Sequence, residues 1–444
     1  MAAYEVSSSA SQERQPSIGL IGMGEMGRMY CKRFSNAGWA HINVCDRPEN
    51  FENLKADVQG LSGVSVLKDG HLVSRVSDII FYSVEAEYID KVVAEYGQST
   101  KVGAIVAGQT SVKSPEKLAF EKYLPNDVHI VSCHSLHGPT VSTEGQPLVL
   151  IQHRAPDWAL HAMENLLASF KSRYVYLTYD EHDVVTANTQ AVTHAAFLSM
   201  GTAWHCSMSY PWEMGQYVGG IETVKVNIML RIYANKWHVY AGLAILNPSA
   251  RMQIDQYAQS VTDLFKMMIS GDEVALKKRM YEAREIVFSS SEKQRPPILL
   301  SEEILDRFSL GVRPQTPTRP SANSHLSLLA MVDCWAALRI LPYKHLDLAA
   351  TPIFRMWIGV AEYLFRSNDR LDAAVQAAVH DVSHRSDDLE FVVAARGWSQ
   401  CVSFGSFELY RERFTHTATF FESRFPEANR VGSQMIKAIL EAAT

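Results

Sequence analysis

Two histidines stand three residues apart in CHSLHGPT, at His134 and His137, ahead of a glycine and a proline. A neutral imidazole titrates near pH 7 and can take a proton from a reacting hydroxyl. The same ring can instead bond loop backbone. A metal site is the weaker reading, because no carboxylate or cysteine cluster follows at ligand spacing. Other candidates are spread along the chain. Ser111 and Lys113 lie in AGQTSVKS, Gln190 and His194 in VVTANTQAVTHAAFLSMG, and Arg231 in VKVNIMLRIYANKWH, with Lys236 and His238 as weaker ones. A guanidinium in an apolar run needs an anion and grips a carboxylate with two parallel bonds. The competing reading for Arg231 is a structural ion pair. For Ser111 it is a helix cap ahead of SPEKLAFEKY, and for His194 a satisfied core residue.

These residues need elements that bring them to one place. SIGLIGMGEMGRMYCKRFSNAGW reads as an apolar strand, a glycine turn and a helix stopped at Gly38. Gly22, Gly24 and Gly27 fit G-x-G-x-x-G, with Met23, Glu25 and Met26 between and beside them. The first glycine permits the tight turn, the second lets backbone approach a pyrophosphate, and the third lets helix and strand pack closely. HINVC then ends in Asp46 and Arg47. Asp46 suits the ribose hydroxyls of NAD, whereas Arg47 suits the extra phosphate of NADP or the adenine face. Both signals are present. SDIIFYSV, ending in Ser83 and Val84, and KVGAIVAG continue the alternating pattern. Ligands of open α/β sheets bind at the carboxyl ends of strands, where AGQTSVKS and DVHIVSCHSLHGP both emerge.

In TYDEHDVVTANTQAVTHAAFLSMGTAW, Asp180 suits an N-cap, with His182 and Asp183 in the first turn. Ala187, Gln190, His194, Phe197 and Gly201 fall on one helical face. Val184 to Trp212 has no Asp, Glu, Lys or Arg other than Asn188, Gln190, His194 and His205 as polar members, which favour a buried helix over a membrane span. THAAFLSMGTAW, from Thr193, resembles SHLSLLAMVDCW, from Ser324. LRIYANKWHVYAGLAI resembles FRMWIGVAEYLF, pairing His194 with His325 and Arg231 with Arg355. GVRPQTPTRPSA separates the copies.

Together these blocks resemble prephenate dehydrogenase, in its long, NADP-linked fungal-type form. The resemblance runs from about Ser17 to near the end. It is most specific in GQTSVKSPE, HSLHGPTVSTEGQPLVL, HDVVTANTQAVTHAAFLSMGTAW and NSHLSLLAMVDCW. It implies that His134 is the catalytic histidine, His194 the second active-site histidine, Arg231 the substrate-binding arginine and Ser111 the nicotinamide-side serine. Gln190 and His137 join the substrate group. Ser135 and His137 depart from shorter members, which have proline and a small residue there. Thr140 stands where many have an acid, with Glu144 the nearest substitute.

The implied fold class is an α/β Rossmann-type N-terminal domain followed by an all-α dehydrogenase C-terminal region, an internally duplicated helical domain. The expected division is a disordered tail 1–16, an NAD(P)-binding domain 17–155, a helical substrate domain 156–310, a linker 311–322 and a second helical domain 323–444. Two copies of a domain through which shorter members pair would make an internal pseudo-dimer, and a homodimer is also open. The expected substrate is prephenate and the expected cofactor NADP rather than NAD.

Composition agrees with a soluble globular protein: 444 residues, 47% hydrophobic, 20% charged and a net charge of −6. The charge argues against a nucleic-acid partner. Six scattered cysteines without a C-x-x-C pair, and a polar start containing Glu5 and Glu13, point to the cytoplasm. Two competing functions are another NAD(P)-dependent dehydrogenase, of arogenate or β-hydroxyacid type, and a non-enzymatic NADP sensor. The β-hydroxyacid type would carry a lysine on the central helix, which Val184 to Trp212 lacks. The sensor would lose His134, His194 and Arg231.

Overall fold

Short apolar runs build the sheet, since strands covered on both faces need no polar alternation. The computed structural model describes residues 5–139, 141–288, 295–312, 323–349 and 351–441. It divides into two units, Met1–Val184 and Val185–Thr444. The first holds β1 (Ile18–Ile21), β2 (Ile42–Cys45), β3 (Val64–Val66), β4 (Ile79–Tyr82), β5 (Ile105–Gly108), β6 (His129–Ser135), β7 (Pro147–Arg154) and β8 (Arg173–Tyr176). They form one sheet in the order β3-β2-β1-β4-β5-β6-β7-β8. The first six strands are parallel; β7 runs antiparallel to β6, and β8 parallel to β7. Strand order reverses between β1 and β4, so the carboxyl edge there is the crevice where such sheets bind ligands.

The expected boundary at 155/156 is too early. Helix Asp157–Leu167 buries Ala159, Met163, Leu166 and Leu167 in the core of the sheet unit, and β8 extends the sheet. Residues 156–184 therefore belong to the first unit. The expected disordered tail also needs correction from residue 5 onward; its first four residues lie outside the described residues. Gln15 is buried, donates to the Ser8 and Ala10 carbonyls at 3.1 Å each, and accepts from Ala40 N at 2.8 Å. An amide so satisfied ties this segment to the turn before β2.

The second unit is helical around one hydrophobic core. Helix Val192–Cys206 packs against Arg385–Phe404 and Gly220–Tyr233, and helix Pro248–Ser270 packs against Leu326–Ala337 and Arg385–Phe404. The core joins Trp204 to Trp335, Trp357 and Trp398, so segments 156–310 and 323–444 do not make separate helical domains. Most of the expected linker 311–322 lies outside the described residues.

The element-by-element repeat also breaks. His194 lies inside helix Val192–Cys206, whereas His325 caps Leu326–Ala337 with φ 50°. Arg231 is in the last turn of Gly220–Tyr233, whereas Arg355 is in the first turn of Pro352–Phe365. LRIYANKWHVYAGLAI breaks before helix Trp237–Ile245, while FRMWIGVAEYLF stays in one helix. His325 is held by Glu222, with Nδ1 3.3 Å from Oε1. Among the described residues no helix is long and apolar enough to cross a membrane.

Candidate active site

The glycine turn follows from what a side chain would strike. Gly22 has φ +96°, and a Cβ there would lie 2.4 Å from the Ser83 carbonyl oxygen and 3.0 Å from a Val84 methyl. Ser83 and Val84 thus back the turn. A Cβ on Gly27 would lie 2.2 Å from the Gly22 carbonyl oxygen, so this glycine lets the helix close onto the strand. Gly24 differs: nothing lies within 4 Å of its missing Cβ. It is also the N-cap of helix Glu25–Asn36 and makes no side-chain cap, leaving free N–H groups at an open surface. That is a cradle a pyrophosphate fits. Met23 is fully buried, so only its backbone faces the cradle; Met26 is half-buried and Glu25 exposed.

At the end of β2, Asp46 accepts from Arg47 N at 2.8 Å and from Asn50 Nδ2 at 3.2 Å. Its two oxygens are engaged in shaping the loop. The Arg47 side chain is 74% exposed, with only a long 3.5 Å contact to Glu49. The loop therefore presents a cation outward and keeps its carboxylate on its own backbone, which suits a cofactor carrying an extra phosphate.

Beyond β5 the two expected residues separate. Ser111 is half-buried in the loop. Lys113 is fully buried and cannot face a substrate. Its Nζ donates to both Glu116 oxygens at 3.0 and 2.9 Å, to the Gly108 and Cys133 carbonyls at 3.0 and 2.9 Å, and lies 3.0 Å from Ser132 Oγ. Glu116 also accepts from Thr110 and Ser132. A buried ion pair persists only when its remaining valences are satisfied, and here they are. The pair clamps β5, β6 and helix Ser114–Tyr123 together.

β6 delivers His134, which is buried, and its Nδ1 lies 2.8 Å from His182 Nε2. His182 Nδ1 lies 3.0 Å from Asp183 Oδ1. Asp183 also accepts from Lys113 N at 2.7 Å, Ser114 N at 2.8 Å and Ser114 Oγ at 2.5 Å. One carboxylate thus joins the loop carrying Ser111 to the histidine behind His134. Burial alone would raise the Asp183 carboxyl, but the bonds from His182, Ser114 and Lys113 N hold it below the usual carboxylate range. Burial pushes His134 well below its ordinary value, reinforced by His182, Lys113 and His137. Burial also lowers His182, although the Asp183 bond opposes it. Both imidazoles are neutral at pH 7.

His137 has a different setting. It is half-buried, its Nδ1 lies 2.9 Å from the Gly138 carbonyl, and burial, with Arg33 nearby, lowers its pKa. Of the two histidines only His134 is backed by a carboxylate. Ser135 meets Tyr30, with hydroxyls 2.8 Å apart, and so anchors the end of β6. Glu144 is an exposed partner of Lys171 at 3.8 Å; Thr140 lies outside the described residues.

In the second unit, Ala187–Ala191 forms a wider π-helical turn before helix Val192–Cys206. This shifts the register on which Ala187, Gln190 and His194 were expected to share a face. Gln190 and His194 are both buried. The His194 ring meets the Tyr240 ring edge-on at 4.7 Å, its Nδ1 has no partner, and burial pushes it down to about 3. It is a neutral hydrogen-bonding group and not a base. Arg231 is half-buried, bonds Ser433 Oγ at 3.2 Å, and has no carboxylate within ion-pair reach among the described residues. The expected structural ion pair is therefore not what holds it. Lys236 and His238 flank the start of helix Trp237–Ile245.

Residues 191–441 match the model of a 6-phosphogluconate dehydrogenase C-terminal domain, and residues 17–107 match the coenzyme F420-dependent NADP oxidoreductase model. A probable prephenate dehydrogenase [NADP(+)] of Schizosaccharomyces pombe is 54% identical over 425 residues, covering 96% of this chain and 97% of its own. The chain belongs to the prephenate dehydrogenase family. A second member, prephenate dehydrogenase [NADP(+)] of Saccharomyces cerevisiae, is 52% identical over 95% of this chain and 94% of its own. A solved prephenate dehydrogenase from A. aeolicus has a TM-score of 0.48 at 18% identity, over 60% of this chain and 93% of that one.

For this member of the prephenate dehydrogenase family, sequence reading missed three groups. His182 and Asp183 were legible only as polar residues in a first helical turn, although two adjacent titratable residues there were a usable signal. Tyr240 carried none, being one aromatic in an apolar helix.

Proposed function

We propose that this chain catalyses the NADP-dependent oxidative decarboxylation of prephenate to 4-hydroxyphenylpyruvate, a step of tyrosine biosynthesis. The likeness to two fungal enzymes over nearly the whole chain supports the substrate and the cofactor. The observation that carries the chemistry is His134: a buried, neutral imidazole, backed by His182 and Asp183, at the carboxyl edge that also bears the glycine turn.

Bound NADP supplies the hydride acceptor. His134 takes the proton of the ring hydroxyl while the hydrogen on the same carbon departs as hydride. Loss of the ring carboxylate as carbon dioxide then returns its electron pair to the ring. The ring becomes aromatic, and the proton held by His134 returns to the oxygen that becomes the phenol. No net proton is released. Gly22, Gly24 and Gly27 hold the pyrophosphate, and Arg47 pairs with the extra phosphate. Ser111 orients the reacting end. Arg231, lacking a carboxylate of its own, grips a carboxylate of the dianionic substrate, and His194, with Gln190, offers neutral hydrogen bonds. The six free cysteines fit a reducing compartment, and we assign the chain to the cytoplasm.

The test is direct. Purified protein with prephenate and NADP should produce reduced cofactor, seen by absorbance, together with 4-hydroxyphenylpyruvate. Binding of the cofactor without reduction of NADP or NAD would overturn the reading.

A further inference from the structure

We propose that Asp183 and His182 are positioning residues that fix the tautomer of His134, leaving its Nε2 as the atom that accepts the substrate proton. The inference rests on the role of His134 given above. It starts from the three-group line: His134 Nδ1 is 2.8 Å from His182 Nε2, and His182 Nδ1 is 3.0 Å from Asp183 Oδ1. An ionised carboxylate only accepts hydrogen bonds. Asp183 is kept ionised by its donors, Lys113 N, Ser114 N and Ser114 Oγ, at the start of helix Ser114–Tyr123. His182 must then carry its proton on Nδ1 and present a bare Nε2. A bare Nε2 can only accept, so His134 carries its proton on Nδ1. The lone pair of His134 is left on Nε2, the nitrogen that the line does not use. Each assignment forces the next, because the imidazole between them is neutral and has one donor and one acceptor.

The line also defines where charge goes. When Nε2 of His134 takes the hydroxyl proton, the new cation sits one imidazole away from the Asp183 carboxylate. The fixed cation close by, Lys113, is already neutralised by Glu116 at 2.9 Å. The same Asp183 oxygens hold the backbone of Lys113 and Ser114, so the loop bearing Ser111 and the proton acceptor are set by one group. The side chain serves the geometry of two reacting elements without touching the substrate.

The test combines substitution with a direct view of the protons. Asp183→Asn keeps an oxygen for the Lys113 and Ser114 donors but can turn an N–H toward His182 Nδ1. This reverses both tautomers and occupies Nε2 of His134. Turnover should fall by roughly 10²–10⁴-fold, with KM for prephenate and affinity for NADP changed by less than about three-fold. His182→Met removes the acceptor and should lower turnover similarly. His182→Gln restores an acceptor for the Nδ1 proton and should retain at least about ten-fold more turnover than His182→Met. Nitrogen NMR of full-length, histidine-labelled protein, with the His134 signals identified by their loss in His134→Asn, reads the tautomer without catalysis. The expected wild-type pattern is a protonated Nδ1 and a bare Nε2, reversed in Asp183→Asn. A bare Nδ1 in the wild type would sink the proposal. So would equal turnover in the Gln and Met variants, both folded by circular dichroism. Full turnover in His134→Asn would instead overturn the role of His134, while the NMR pattern would still decide the tautomer.

Discussion

A buried imidazole accepts a proton only in the state its surroundings allow. Around His134 stand His182 on the following helix, Lys113 in the loop after β5 and His137 on its own strand's exit, and all add to burial in lowering its pKa. The acid limb of kcat/KM should therefore fall below about pH 6.5, the ordinary histidine range, and activity should be flat from there through neutrality. His134→Asn should cut turnover by about 10²–10⁴-fold with little change in KM, as steady-state kinetics would show. Stability carries the same sign. His134, His182 and His194 are neutral when folded but protonate near pH 6.5 when unfolded. Their contribution is full above about 6.5 and is lost as pH falls from there toward the folded value of about 3 for His194. Urea midpoints measured from pH 7 to pH 4 should decline steadily. Arg47, exposed at the rim of β2, bears on cofactor choice alone. Arg47→Ala should raise KM for NADP by about ten-fold and leave KM for NAD nearly unchanged; an unchanged ratio would move the phosphate partner elsewhere.

At the scale of elements, the glycine turn was legible because its physics is local: three glycines within six residues, a strand before and a helix after. The line from His134 to Asp183 was not. Its members come from β6 and a helix 48 residues on, and only the sheet order brings them together. Lys113 misled for a related reason, because its partner Glu116 is three residues away but both are buried by β6. The glycines also separate binding from folding. Gly24→Ala adds a methyl to open space, so melting temperature should hold while KM for NADP rises. Gly27→Ala drives a methyl to within 2.2 Å of the Gly22 carbonyl and should lower both melting temperature and cofactor affinity. Thermal melts beside cofactor titrations would check the contrast.

Over the whole molecule, the boundary at 184/185 escaped sequence reading because helix Asp157–Leu167 looks like the helices that follow, and only β8 reveals that the sheet continues. The apparent repeat misled through composition: apolar helices share letters easily, and the positions of His325 and Arg355 on their helices differ from those of His194 and Arg231. Removal of residues 312–444 should leave the protein insoluble and inactive, because Trp335, Trp357 and Trp398 are fully buried parts of the second unit's core. Soluble yield and circular dichroism of the truncated chain would test this. Trp398 donates to Thr202 at 3.0 Å, and Phe197 lies against Trp357 at 4.7 Å. These partners are nearly two hundred residues apart yet share one polypeptide. Their meeting is unimolecular, with the chain itself holding them at an effective concentration on the order of millimolar. Dilution cannot separate them. The core should melt at the same temperature in nanomolar as in micromolar protein, which a dilution series would reveal as a flat line.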